Sequence, residues 1–231
     1  MNFFEKFPEF KTEGTTGIAG KRLEYRYSAI IENQKHFFKN SRVLDLASHD
    51  GRWSLAALEA GARHVTGIEG RKKLAEKSRK ILKKYGYNYD QYEVFADDIN
   101  KKICEFKDGI FDIVLCLGYF YHTMHHFKLL SEFYRLKTKL IIIDGDFYTN
   151  MAPGIIIGLE NSERDGSSLP TKKGERKALV GIPTTEGLKL MLEHLGYQYK
   201  FLDWKLFGES NWEGINDYRN HKRFTVIIKK K

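Results

Sequence analysis

Apolar and polar positions along the chain follow two alternating periods. RVLDL (42–46), HVTGIEG (64–70), YEVFAD (92–97), FDIVLCLG (111–118) and KLIIID (139–144) are short, nearly continuous apolar runs, the pattern of strands buried on both faces. Between them, WSLAALEAG (53–61) and residues 72–85 and 126–136 carry apolar positions at helical spacing, and Gly61 ends the first of these helices. Strands alternating with helices mean βαβ units and a mostly parallel sheet covered on both faces. A further helix is expected over 22–38, after a mobile Gly/Thr stretch, EGTTGIAG (13–20).

Beyond Asp144 the rhythm breaks. Residues 145–182 hold Gly, Ser, Asn and charges without a clear period, the mark of a functional cap or a disordered loop. PTTEGLKLMLEHLG (183–196) restores a helix, capped by Thr184 or Thr185 and ended by Gly196. YKFLDWKLF (199–207) and RFTVIIKK (223–230) read as an antiparallel pair closing the sheet edge, which the terminal lysines would blunt.

The length of 231 residues implies one decorated domain, because two cores would both be small. A hydrophobic share of 42% and 14% aromatics exclude a disordered or low-complexity chain. The two cysteines, Cys104 and Cys116, cannot build a disulfide framework, which points to a reducing, cytoplasmic compartment. No apolar run approaches the ~20 residues of a membrane span. The start, MNFFEKFPEFK, holds acids and no uninterrupted apolar core, unlike a signal peptide. Lys and Arg number 39 against 30 Asp and Glu, a net charge of +9 that suits nucleic acid, an anionic membrane or an acidic substrate. Much of it lies in RKKLAEKSRKILKK (71–84), where Leu74, Ile81 and Leu82 keep helical spacing, so the basic side chains form either a solvated face or a polyanion-binding one.

The informative segment is VLDLASHDGRWSLAALEAGARHVTGIEG (43–70). A strand ends at Leu46, a tight loop follows and a helix begins near Arg52, so backbone N–H groups and a helix N-terminus face the carboxyl edge of the sheet, where open α/β sheets bind ligands. Glu69, about 24 residues after Asp45, ends the second strand, where an acid can accept hydrogen bonds from ribose hydroxyls. The loop Ala47-Ser48-His49-Asp50-Gly51 keeps a single glycine, which disfavours a dinucleotide pyrophosphate, and no GxxxxGK[ST] follows any strand, which excludes a P-loop. A nucleoside that carries an amino acid instead of phosphate tolerates such a loop.

These residues resemble the class I S-adenosylmethionine-dependent methyltransferases, whose first motif runs [DE]-x-G-x-G-x-G. Its positions fall here on Asp45, Ala47, His49 and Gly51: the first and last match, Ala47 departs mildly and His49 substantially. The resemblance covers about residues 40–145. It implies a Rossmann-like, doubly wound α/β fold: a seven-stranded mostly parallel sheet with an antiparallel C-terminal strand, N-terminal helices and an insertion after the fifth strand. It also implies one methyltransferase domain over 1–231, with 1–40 as a helical cap and 145–182 as a substrate cap. S-adenosyl-L-methionine is the implied cofactor. The loop of Asp45, Ala47, Ser48 and Gly51 would wrap its methionine part, Glu69 and Gly70 the ribose, and Asp97, Asp98 and Ile99 the adenine. Cys116, Leu117 and Gly118 would lie against the cofactor and the substrate entrance.

Methyl transfer from a sulfonium needs alignment and, for many acceptors, a base. GYFYHTMHHF (118–127) follows the fourth strand and supplies Tyr119, Tyr121, His122, His125 and His126; His122, with Tyr121 beside it, is the first choice for a general base. His122 and His126 stand four apart, but no HExxH pattern occurs and no metal is assigned. Asp144 and Asp146 either bind a cationic or hydroxyl group of the substrate or cap a loop. Arg26 either reaches the cofactor carboxylate or packs, and Trp53 belongs to the core. Three functions stay open. The first is an O- or N-methyltransferase of a small-molecule acceptor. The second is a tRNA or other RNA methyl or carboxymethyl transferase, to which Gly118, Tyr121 and His122 bear a short resemblance. The third is a non-catalytic binding protein, favoured by His49. The oligomeric state is open.

Overall fold

A computed structural model describes residues 2–10, 20–170, 172, 174–207 and 212–230. The expected mobile stretch EGTTGIAG lies outside them except for Gly20, which opens a helix.

Five parallel strands form the centre: β1 (Arg42–Leu46), β2 (His64–Glu69), β3 (Tyr92–Ala96), β4 (Ile113–Leu117) and β5 (Leu140–Asp146). Two other strands form a separate hairpin, β6 (Ile155–Asn161) with β7 (Lys177–Pro183). The main sheet is completed by β8 (Tyr197–Phe201) and β9 (Arg223–Lys230), giving seven strands in the order β3-β2-β1-β4-β5-β9-β8. β9 alone runs antiparallel, pairing with β5 on one side and β8 on the other. All five residues of β4 are buried, as a strand covered on both faces requires.

One face is covered by α1 (Phe3–Lys6), α2 (Gly20–Ile30), α3 (Lys35–Phe38), α4 (Arg52–Glu59) and α5 (Lys72–Lys84). Phe4, Phe10, Leu23, Trp53, Leu55 and Leu82 meet there in a single apolar cluster. The other face is covered by α6 (Ile99–Glu105), α7 (His126–Arg135) and α8 (Thr185–His194) around Ile103, Phe133, Leu188 and Leu192. A short α9 (Asn216–Arg219) precedes β9. Thr184 caps α8 by accepting the Gly187 N–H, and Gly196 follows the helix in the left-handed region.

Four sequence expectations change. The helix over 22–38 is broken: α2 stops at Ile30, a 3-10 turn occupies Glu32–Gln34 and α3 resumes, which buries both Ile31 and Phe38. The 145–182 segment is not without order, since it contains β6 and most of β7. It escaped notice because β6 is an apolar run whose Ile157 and Leu159 are 60% and 67% exposed, against the premise that such runs are buried. The extended run 199–207 begins earlier and ends at Phe201, because Asp203 accepts the Lys205 N–H and turns Trp204 inward onto Tyr218. Finally, the lysine-ended β9 is internal and the edge is β8.

Candidate functional site

The loop between β1 and α4 turns left-handed at alternate positions, although only the last of them is glycine. Ala47, His49 and Gly51 have φ of +52°, +51° and +84°, three left-handed residues at alternate positions. For Ala47 and His49 that conformation costs on the order of 1 kcal/mol each. At Gly51 a side chain is excluded outright, because a Cβ there would stand 2.3 Å from Ser78 Oγ. The His49 backbone N–H is turned onto Glu69 Oε2 at 2.8 Å.

Glu69 is the second fixed point. Besides the His49 N–H it accepts the Arg71 N–H at 2.8 Å, so both carboxylate oxygens are oriented by backbone donors at the end of β2. Gly70 follows, and its missing side chain admits Leu169 of the insertion. Beyond β3, Asp97 accepts the Asp98 N–H, and the Asp98 side chain caps α6 by accepting the Asn100 N–H. Asn100 Oδ1 is buried with no partner, an acceptor left open where the resemblance puts the adenine. The positive-φ loop, the oriented carboxylate and this orphan acceptor fit a nucleoside bearing an amino acid.

Asp45, Ser48, Cys116 and Leu117, all expected at the cofactor, are buried. Asp45 is buried and accepts the Ser54 hydroxyl at 2.7 Å, tying the end of β1 to α4. Burial lifts its carboxyl from 3.8 to about 7, the Ser54 hydrogen bond opposing and the nearby Glu69 and Asp50 charges adding to the rise. A carboxyl whose folded pKa is raised binds its proton more tightly folded than unfolded. Stability is then greatest below the ordinary value and falls as pH rises from about 4 to about 7, by about 1.4 kcal/mol per unit. In urea unfolding at pH 5 and pH 8, Asp45→Asn is expected to gain on the wild-type protein at the higher pH; an equal difference at both would contradict this. Ser48 is buried with its hydroxyl against Gly67, and Cys116 is buried with its thiol pushed up by desolvation. Leu117 is buried too, whereas Gly118, at φ +93°, donates its N–H to the Asp144 carbonyl at 2.7 Å and lies near the Arg223 guanidinium.

The acceptor end is built on the segment after β4. Tyr121 packs its ring against Gly145, where a Cβ would approach it to 2.8 Å, and over the Arg223 guanidinium at 5.4 Å. His122 directs Nδ1 at Glu160 Oε2, 2.8 Å away on β6. Burial raises the Glu160 pKa, but bonds from His122 and the Ser168 N–H outweigh it and hold the group below its ordinary range. His126 is separate: it is buried, donates from Nε2 to the Gly181 carbonyl and is held neutral chiefly by desolvation. His122 and His126 thus serve different partners, and no group of three or more potential metal ligands occurs among the described residues.

Asp144 is not at a ligand surface. It is fully buried and accepts from Arg26, Arg223, Tyr218 and Thr225 at 2.6–2.9 Å. Burial alone would raise its pKa, but the two guanidinium groups and the hydroxyls hold it well below the carboxylate range. Arg26 is spent on this pair and on the face of Trp53, which is core as expected. Asp146 remains 45% exposed on its side chain and accepts from Arg223. Arg223, Tyr218, Glu160 and Arg71 were not singled out from sequence; Asp144, His122 and the Ser162 carbonyl, which they serve, lie 38 or more residues away, and the charge run absorbed Arg71.

The seven-stranded Rossmann-like sheet is the fold shared with the methyltransferase structures compared next. A protein-family model described as a methyltransferase domain matches residues 43–139. The chain is also 44% identical over 63 residues to protein arginine N-methyltransferase 8-B of Danio rerio; the match covers 27% of this chain but only 14% of that protein's length. Among solved structures, the S-adenosylhomocysteine-bound N-terminal domain of EvdMO1 superposes with a TM-score of 0.66 at 17% identity, covering 94% of this chain and 84% of that one. An S-adenosylmethionine-dependent methyltransferase from Mesorhizobium loti gives 0.64 at 12% identity, covering 91% and 99%. No helix among the described residues is long and apolar enough to cross a membrane.

Proposed function

We propose that the protein transfers a methyl group from S-adenosylmethionine to an oxygen or nitrogen of a small-molecule acceptor, with His122 as the proton acceptor. The observation that carries this reading is the His122–Glu160 pair. It joins the residue best suited as a base to a strand of the insertion, which supports reading the insertion as a cap over the acceptor. A capped site suits a small acceptor better than a folded RNA. The basic face of α5 favours RNA, which predicts a steep salt dependence of binding.

The bound cofactor supplies an electrophilic methyl group for in-line displacement. Glu69 and the left-handed loop hold and orient the nucleoside and its amino acid. With its Nδ1–H donated to Glu160, the His122 ring presents Nε2 as a base toward the acceptor. Tyr121, fixed by Gly145 and Arg223, forms a wall beside it. The exposed Cys104 and the buried, free Cys116 suit a reducing, cytoplasmic setting.

The test is release of S-adenosylhomocysteine in the presence of panels of phenols, hydroxy acids and amines, with tRNA as a parallel panel. Turnover of a small oxygen or nitrogen acceptor is expected. His122→Ala is expected to lower kcat by about 10²–10⁴ while S-adenosylhomocysteine affinity stays within about twofold. Turnover confined to RNA, or full activity in His122→Ala, would overturn the assignment.

A further inference from the structure

The segment linking β6 to β7 is fastened to the body at several points, and one side chain makes three of the bonds. The Arg71 guanidinium donates from Nη2 to the carbonyls of Ser162, Arg164 and Ser167 at 2.8, 2.9 and 3.1 Å. The backbone N–H of the same residue donates to Glu69 Oε1 at 2.8 Å. Arg71 therefore reaches in two directions at once, to the acid of the nucleoside site and to the cap. Next along the segment, Leu169 fills the space at Gly70 so closely that its Cδ1 would be 2.5 Å from a Cβ there. The Ser168 hydroxyl donates to the His122 carbonyl at 2.7 Å and its N–H to Glu160 at 2.9 Å. Residues 162–169 thus touch the ribose acid's neighbours at one end and the candidate base at the other.

We propose that Arg71 is a positioning residue that couples occupation of the nucleoside site to closure of the 162–169 segment, so that the cofactor is retained under the cap until Arg71 releases it. The proposal rests on the cofactor site proposed above. Glu69 fixes the Arg71 backbone, and the Arg71 side chain fixes three consecutive parts of the cap. A ligand that braces Glu69 through its ribose hydroxyls braces the clamp as well. A shut cap slows escape more than it strengthens contact, so the effect falls on the dissociation rate.

The experiment measures S-adenosylhomocysteine association and dissociation on the full chain by surface plasmon resonance, with hydrogen exchange of residues 162–169 with and without ligand. Arg71→Ala keeps the N–H to Glu69 and removes the clamp. It is expected to speed dissociation by about tenfold or more, leave association within about threefold, and abolish ligand-induced protection of the segment at an unchanged melting temperature. Arg71→Lys, which retains a donor for the carbonyls, is expected to fall between and serves if the alanine variant folds poorly. A dissociation rate and protection equal to wild type in both variants would overturn the coupling, while Glu69 variants that still weaken binding would leave the cofactor site standing. Wild-type protein that takes up no S-adenosylhomocysteine would overturn both.

Discussion

Asp144→Asn is expected to lower the unfolding free energy by about 3–5 kcal/mol, a loss that urea unfolding at pH 7 would register directly. The amide matches the carboxylate in shape, so packing is preserved while the charge and one acceptor oxygen are lost. What remains is two guanidinium groups, Arg26 and Arg223, buried side by side with Asp146 as the only carboxylate still bonded to either in this cluster. Against a typical domain stability of about 5–15 kcal/mol, this removes a large share of the total. The pH dependence has a definite sign. A carboxyl whose folded pKa is depressed stabilises the fold above its unfolded pKa, and that contribution drains away as pH falls below the ordinary carboxylate range. The advantage of wild type over Asp144→Asn should therefore be full at pH 7 and shrink in acid. A variant as stable as wild type at pH 7 would show that Arg26 and Arg223 find other partners.

Glu69 variants should show the largest loss of ligand affinity. Glu69→Ala and Glu69→Gln are each expected to weaken S-adenosylhomocysteine binding at least ~10-fold, the size of one or more charge-assisted hydrogen bonds. The two variants separate charge from space. Glutamine fills the site, but its amide offers one oxygen where His49 and Arg71 present two N–H donors, so one of those donors meets an NH₂ group. Calorimetric titration of both folded variants would check this, and wild-type affinity in Glu69→Gln would show that the carboxylate is not the ribose acceptor.

Much of the architecture was legible because parallel strands buried on both faces leave nearly uniform apolar runs, as in Ile113–Leu117 and Leu140–Ile143. Glu69 was legible for a local reason, since the end of a second βαβ strand fixes its place. The loop around His49 illustrates the opposite difficulty. His49 stands where the motif has glycine and by itself says nothing of the backbone path, yet the chain adopts the left-handed turns at a modest cost that no propensity scale reveals. Asp144 was placed at the correct edge but given the wrong company, because its partners Arg26, Tyr218 and Arg223 stand 118, 74 and 79 residues away in the chain. The Glu160–His122 contact was invisible for a related reason: an exposed apolar hairpin has no periodic signature separating it from a loop.

The position of β9 bears on how the chain comes together during synthesis. β8 has β9 as its one neighbour, and β9 also covers the open side of β5. While a ribosome has translated as far as residue 222, five strands can pair as they emerge, but β8 has nothing to join and Asp144 lacks both Arg223 and Thr225. Completion of the sheet is thus a late insertion between two waiting elements, and the nascent protein carries an unsheltered strand until that moment.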